Sequence, residues 1–319
     1  MNELLTQAQN DFAQAVLAGL SQPQKVVPAR FLYDKRGSEL FEQITRLPDY
    51  YLTRTETALL EQHAADIAAL AGDETVVVEF GSGSSAKTPL LLAAVRPAIY
   101  IPVDISADFL AEAAKGMEQS HPGLRVVPIA GDFTLPVYLD SIAGETRRLG
   151  FFPGGTIGNF GPAAAVDLLR SFATTLGRDA RLVIGVDPRK EPQALIAAAD
   201  DPQGLMCEFN RNLLHRINRE LGGTIDVDAF THKAIWNDAK GRVELHLEAI
   251  RDLAFSVAGR PFAIQAGETI HTENSYKYRL EEIRLLARAA GWESLEAWSD
   301  PEGLFSLQLW GKTRDRIEP

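Results

Sequence analysis

The chain has 319 residues, 45% hydrophobic and 24% charged, and its 32 lysines and arginines against 43 aspartates and glutamates leave a net charge of −11. That much apolar material excludes a mainly disordered chain, and the acidic balance, with no basic patch, excludes a nucleic-acid binder, which needs cations to displace the counterions of a polyphosphate. At about 150 residues per domain the length predicts two domains, or one large domain with an insertion. The single cysteine, Cys207, excludes an intrachain disulfide and any cysteine-rich metal site, and fits a reducing compartment. Residues 1–20 lack the basic start and apolar centre of a signal peptide, and no run of about 18 apolar residues is long enough to span a bilayer. The expected location is cytoplasmic.

The first sixty residues read as helix, with Leu5, Phe12, Val16 and Leu20 at near-helical spacing and breaks at Pro23 and Pro28; no strand is expected there. From Thr75 the pattern becomes short apolar runs separated by helical segments: T-V-V-V-E-F (75–80), A-I-Y-I-P-V-D (98–104), R-V-V-P-I-A (125–130), G-F-F-P-G-G-T-I (150–157) and R-L-V-I-G-V (181–186). Such continuous runs predict strands covered on both faces, hence a parallel, doubly wound α/β sheet. After Asp187 the rhythm breaks at Pro188 and Pro192. A helix follows around 204–221, with Leu205, Phe209, Leu213, Ile217 and Leu221 four apart. The alternating segments H-K-A-I-W-N and V-E-L-H-L-E-A-I then predict antiparallel strands packed on one face only. This part, up to about Ser275, reads as an inserted second domain. A helix over 279–290, stopped by Gly291 as its C′ residue, and strands around 294–298 and 304–310 close the chain.

In a doubly wound sheet the ligand lies at the carboxyl ends of the strands. The first strand ends in E-F-G-S-G-S-S-A-K-T (79–88), where Gly81 and Gly83 let the backbone turn tightly beside a helix N-terminus. The glycines alone also satisfy the relaxed dinucleotide pattern G-x-G-x-x-A, which keeps a nicotinamide or flavin enzyme open. Three acids favour S-adenosylmethionine. Glu79 precedes the first glycine and can support the loop and the cationic methionine end. Asp104, about 20 residues on, can accept both ribose hydroxyls. Asp132, beside Phe133, can take an adenine amino proton next to an aromatic face. Each has a bland alternative as a helix cap or a solvated acid, so the weight lies on the set. The fourth strand leads into G-G-T-I-G-N-F-G-P (154–162), open enough for a second substrate, with the Asn159 amide suited to an amino-acid head group. The six histidines show no H-E-x-x-H or comparable pairing, so no metal is expected; no G-x-S-x-G elbow or P-loop is present.

At these residues the chain resembles the histidine-specific Nα-methyltransferases that make trimethylhistidine for ergothioneine biosynthesis. The stretches are Y-D-K-R-G-S-E-L-F-E-Q-I-T-R-L-P-D-Y-Y-L-T-R-T-E (33–56), E-F-G-S-G-S-S-A-K-T (79–88), G-D-F (131–133), G-G-T-I-G-N-F (154–160), F-N-R-N-L-L (209–214) and T-E-N-S-Y-K-Y (272–278). The resemblance implies a Rossmann-like doubly wound methyltransferase core (56–190 and 278–319) that binds S-adenosylmethionine, and a second α+β substrate-binding domain (1–55 and 191–277). By matching position, Tyr33, Gly81, Lys87, Asp104, Asp132 and Phe133 would meet the cofactor. Tyr50, Gly154 and Asn159 would surround the amino-acid backbone, and Glu273 and Ser275 would fix the imidazole, whose two nitrogens a carboxylate and a hydroxyl can orient. One position departs from the pattern: where the family places a tyrosine that helps hold the acceptor carboxylate, ten residues ahead of F-N-R-N, the chain has Ala199. A missing phenol hydroxyl costs roughly 1–3 kcal/mol.

The implied chemistry is in-line transfer of the sulfonium methyl to a deprotonated α-amino nitrogen, driven largely by positioning. Tyr50 and Asn159 are the catalytic candidates, steering the amine or a water that takes its proton. The expected partner is a small amino acid; no nucleic acid or membrane is expected, and the chain is read as a monomer. The alternatives are the same transfer to another amino acid or amine, tryptophan included, which Ala199 motivates; a non-catalytic S-adenosylmethionine-binding module; and, third, a nicotinamide dehydrogenase.

Overall fold

The computed structural model describes residues 7–72, 75–83, 87–144 and 146–313, with side chains from residue 10 onward. Leu5 of the expected first helix, and Ser84, Ser85 and Ala86 of the glycine loop, lie outside the described residues. The chain divides into two compact units, one drawn from Met1–Tyr50 and Glu191–Ser275, the other from Tyr51–Lys190 and Tyr276–Pro319.

In the first unit, helix α1 (Gln7–Leu20) buries Phe12, Val16 and Leu20, spaced four apart along one face. A short strand, β1 (Lys25–Val26), follows, then a 3₁₀ turn over Ala29–Leu32 and helix α2 (Lys35–Ile44). The Asp34 side chain caps α2 by accepting from the Gly37 amide at 2.8 Å. Strand β1 corrects the expectation that this region holds no strand: two residues pair in parallel with Ile270 and His271, a contact with no local periodicity to announce it. The second stretch of this unit supplies helix α8 (Pro192–Ala197), helix α9 (Leu205–Leu221) and strands β8 (Phe230–Asn237), β9 (Arg242–Ala249), β10 (Leu253–Val257), β11 (Arg260–Ile264) and β12 (Thr269–Tyr276). The stripe Phe209, Leu213 and Ile217 of α9 is fully buried against α1, α2 and the sheet β1-β12-β9-β8, each side chain contributing about 1.5–3 kcal/mol by removal from water. Asp201 caps α9 through the Leu205 and Met206 amides at 3.1 and 2.7 Å.

Strand β8 is covered on one face, as its alternation predicts, but β9 is buried on both. The correction has a clear cause. β9 lies between β8 and β12, and its polar side chains Arg242, Glu244 and His246 bury themselves by bonding to one another.

The second unit is an α/β sheet in the order β13-β14-β7-β6-β2-β3-β4, with β5 also paired to β3. Its parallel strands are β2 (Val76–Phe80), β3 (Ile99–Asp104), β4 (Arg125–Val126), β5 (Ile129–Ala130), β6 (Arg148–Phe152) and β7 (Arg181–Val186). β14 (Ser306–Lys312) adds antiparallel to β7, and β13 (Trp292–Ser299) to β14. Helices α3 (Tyr51–Ala71), α4 (Thr88–Val95), α5 (Ala107–Ser120), α6 (Asp140–Ala143), α7 (Pro162–Leu176) and α10 (Leu280–Ala289) complete it. Prolines at the starts of α4 and α7 sit where no intrahelical N–H is needed. The core stacks Phe80 on Phe172 at 3.9 Å, with Phe152, Trp292 and Trp310 fully buried. Two expected strands are shorter than the apolar runs suggest. Pro128 lacks a donor and splits 125–130 into two pieces, and β6 stops before Pro153, with a 3₁₀ turn over Thr156–Asn159 replacing its expected end.

Candidate active site

In the second unit the carboxyl ends of β2, β3, β5 and β6 gather the expected cofactor residues. After β2, the Gly81 amide donates to the Val103 carbonyl at 2.8 Å and the Gly83 amide to Asp104 Oδ2 at 2.9 Å. Both glycines have positive φ, +71° and +49°, which only glycine adopts without strain. A methyl on Gly81 would lie 3.3 Å from the Phe133 ring, so the bare glycine lets the ring pack against the turn. Asp104 also accepts from the Ser106 amide at 2.9 Å, which fixes its carboxylate at the strand end while each oxygen keeps a second lone pair for a hydroxyl. Asp132 is exposed and closes a turn through the Thr134 amide (2.9 Å) and hydroxyl (2.6 Å). Phe133 packs edge-on to Phe152 and Phe160.

Glu79 stands in the packed layer under these residues. It is 1% exposed, takes the Thr88 hydroxyl at 2.9 and 2.8 Å and the Tyr100 hydroxyl on its carboxylate, and so ties β2 to the start of α4 and to β3. Burial raises its pKa to about 7, opposed by the Tyr100 and Thr88 hydrogen bonds and by Lys87.

One residue that the sequence reading does not single out is central here. Glu56, on α3 and fully buried, accepts the Gly154 amide at 3.0 and 2.8 Å and pairs with Lys87, the residue before α4. Gly185 is bare because a methyl there would lie 2.2 Å from Glu56 Oε1. The available signal was its place at the end of the stretch 33–56. Gly154 and Gly155 turn with φ of +81° and +69°, and Asn159, half-buried, ends the 3₁₀ turn that follows. Beside them Asp187, at the end of β7, bonds the Tyr51 hydroxyl (2.7 Å), Lys277 Nζ (2.5 Å) and Lys190. Burial pushes its pKa up, but the two ammonium groups outweigh it and hold the carboxyl below the ordinary carboxylate range.

The remaining expected residues belong to the first unit. Tyr33 packs edge-on to Phe41 (5.6 Å) and Phe209 (5.4 Å), and Tyr50 to the same Phe41 (6.0 Å). Glu273 and Ser275 stand two apart on β12, on one face of the strand and both half-buried. Ala199 is half-buried beside Leu195, Val243 and Leu245, and its carbonyl meets His232 Nε2 at 2.8 Å.

The family of SAM-dependent histidine-specific methyltransferases matches residues 12–312. A histidine N-alpha-methyltransferase of Mycolicibacterium smegmatis is 41% identical over 300 residues, covering 92% of each chain. One from Mycobacterium tuberculosis is 38% identical over 303 residues, 93% of this chain and 94% of its own. Among solved structures, an S-adenosylmethionine-dependent methyltransferase from Clostridium acetobutylicum aligns with a TM-score of 0.52 at 12% identity, over 86% of this chain and 99% of that one, a likeness of fold. The α/β sheet and a match over nearly the whole length agree: this chain is an S-adenosylmethionine-dependent N-methyltransferase and belongs to the histidine-specific methyltransferase family.

Proposed function

We propose that this chain methylates the α-amino nitrogen of L-histidine three times, giving trimethylhistidine for ergothioneine biosynthesis. The observation that carries the reading is the family match over residues 12–312, which takes in Tyr50, Asn159, Glu273 and Ser275. S-adenosylmethionine, when bound, supplies the electrophilic methyl group. In this reading Asp104 accepts its ribose hydroxyls, Phe133 packs on its adenine and Asp132 takes the amino proton, with the backbone at Gly81 and Gly83 passing close; Tyr33 and Lys87 meet the same ligand, and Glu79 supports the loop.

The acceptor amine has to lose a proton before it can attack. Asn159 and Tyr50 offer an amide and a phenol that orient an amine by hydrogen bonds without acting as strong bases, and Gly154 gives the amino-acid backbone room. Orientation of this kind supplies much of a methyl transfer's acceleration. Glu273 and Ser275, sharing a strand face, match the two ring nitrogens of an imidazole. Each methylation removes an N–H donor, so contacts to the amine that pass through water let it turn and dock again. The same reading makes the first unit the substrate-binding domain and the protein a cytoplasmic monomer with a small-molecule substrate and no nucleic-acid or membrane partner. Among the described residues no helix is long and apolar enough to cross a membrane.

The test is titration of L-histidine into protein saturated with S-adenosylhomocysteine, followed by mass analysis of turnover products. Saturable binding with trimethylhistidine as the end product is expected. Ala199 favours a second reading, an amino acid or amine other than histidine, because the phenol expected to hold the acceptor carboxylate is absent. Turnover of tryptophan or another amine with none of histidine would establish that reading.

A further inference from the structure

Two histidines that no short sequence spacing connects meet in the first unit. His246 of β9 and His271 of β12 stack with ring centroids 4.6 Å apart and planes 16° from parallel. Glu244 stands two residues before His246 on the same face of β9, with its Oε2 3.3 Å from His246 Nε2. One ligand atom from each of the three side chains lies within 4.8 Å of the other two. Glu244 and His246 are 7% and 6% exposed, and His271 is half-buried, which leaves an approach from its side.

We propose that Glu244, His246 and His271 form a binding site for a divalent transition-metal ion such as zinc, joining β9 to β12. Two imidazoles and one carboxylate are a recurrent donor set for that ion. His246 Nε2 and Glu244 Oε2 meet at 3.3 Å in a hydrogen bond that an ion would replace, and the stacked rings would turn to aim their in-plane lone pairs at it. The outer partners are already in place, as metal-binding histidines require. His271 donates from Nε2 to the Glu273 carbonyl at 3.0 Å, which leaves its lone pair on Nδ1. His246 Nδ1 meets the Thr269 hydroxyl at 3.1 Å, so a shift of the ring proton from Nε2 to Nδ1 would release Nε2 from Glu244 to an ion. The other Glu244 oxygen, Oε1, is held by Arg242 Nε at 2.7 Å and Asn237 Nδ2 at 2.9 Å, which fixes the carboxylate with Oε2 toward His246. Arg242 and Lys233 are the cations facing the cluster, and their charge makes the site weaker than an all-anionic one. A bound ion would brace the segment of β12 that carries Glu273 and Ser275, and would act away from the methyl-transfer chemistry.

The test is titration of the chelator-treated full-length protein with Zn²⁺, and with Co²⁺ as a visible-absorbing substitute. One ion per chain, tetrahedral Co²⁺ absorption and a raised Tm are expected. Glu244→Gln, His246→Ala and His271→Ala should each weaken binding at least about 10-fold. His63→Ala, at a separate His–carboxylate pair, should leave it unchanged. X-ray absorption of the zinc-loaded wild type should find two imidazoles in the first shell, a readout that does not depend on any variant folding. Absence of saturable binding, binding that persists in His246→Ala and His271→Ala, or a shell without imidazole would each overturn the proposal.

Discussion

Glu56 and Gly154 are 98 positions apart in the chain, and one amide joins them, donating to both oxygens of a fully buried carboxylate at 3.0 and 2.8 Å. Through the same carboxylate Lys87 is fixed before α4. A single side chain of α3 therefore sets the β6 turn and the far end of the glycine loop together. Replacing Glu56 by Gln leaves a largely buried ammonium without its counter-charge, at a cost of about 3 kcal/mol. In a Lys87→Met background the same replacement should cost less than half as much. Chemical denaturation of the four proteins of that cycle measures the difference; equal costs in the two backgrounds would dissolve the link.

Glu79 makes stability depend on pH. Its folded pKa, about 7, lies above the ordinary carboxyl value of 4.5, so between these values the folded state binds more protons than the unfolded one, and stability falls as pH rises. At about 1.4 kcal/mol per pKa unit the loss reaches about 3 kcal/mol, complete above pH 7. Glu79→Gln keeps the shape and carries no charge, so its Tm relative to wild type should climb from pH 5 to pH 8. A difference independent of pH would show that Glu79 titrates normally.

Asp187 has the opposite sign. Lys277 and Lys190 hold its carboxyl below the ordinary 3.8, so its contribution is complete above 3.8 and is lost only as pH falls through the lower, folded value. Asp187→Asn should cost about 3 kcal/mol at neutral pH, because two buried ammonium groups lose their counter-charge. The gap in urea midpoint between the variant and wild type should stay constant from pH 7 to pH 4 and narrow below that.

Asp104 should separate the cofactor from the acceptor. Asp104→Ala removes the partner of the Gly83 amide and both acceptors offered to a ribose. Hydrogen bonds to a charged group contribute about 1.5–3 kcal/mol, so calorimetry should find S-adenosylhomocysteine bound roughly 10–100-fold more weakly. The histidine KM, measured at saturating cofactor, should move less than about threefold. A variant that loses both affinities equally would assign Asp104 to the fold.

Where the sequence is readable, the reason is local. The stripe from Phe209 to Ile217 announces α9, and the apolar runs of β2, β3 and β7 announce strands covered on both faces, because their periods are set within a few residues. The Gly81–Gly83 turn and Asp104 are legible for the same cause: a strand end, a tight turn and an acid at a fixed distance. The rest depends on partners far along the chain. Strand β1 exists only because Ile270 and His271 lie alongside it. The polar face of β9 is buried because Arg242, Glu244 and His246 satisfy one another, and a scan that counts apolar residues reads that face as solvated. Glu56 is one acid among several on α3 until the fold brings Gly154 and Lys87 to it.

Neither compact unit is a continuous stretch of chain, and this has a consequence for synthesis. Residues up to Tyr50 belong with a sheet whose last strand ends at residue 276, so α1 and α2 leave the ribosome more than two hundred residues ahead of β12. At 5–20 residues per second the wait is roughly 10–45 s. Throughout it Phe12, Val16 and Leu40, all destined for the interior, have no sheet to cover them. The N-terminal helices thus carry apolar side chains without their final cover for most of the time the chain is being made.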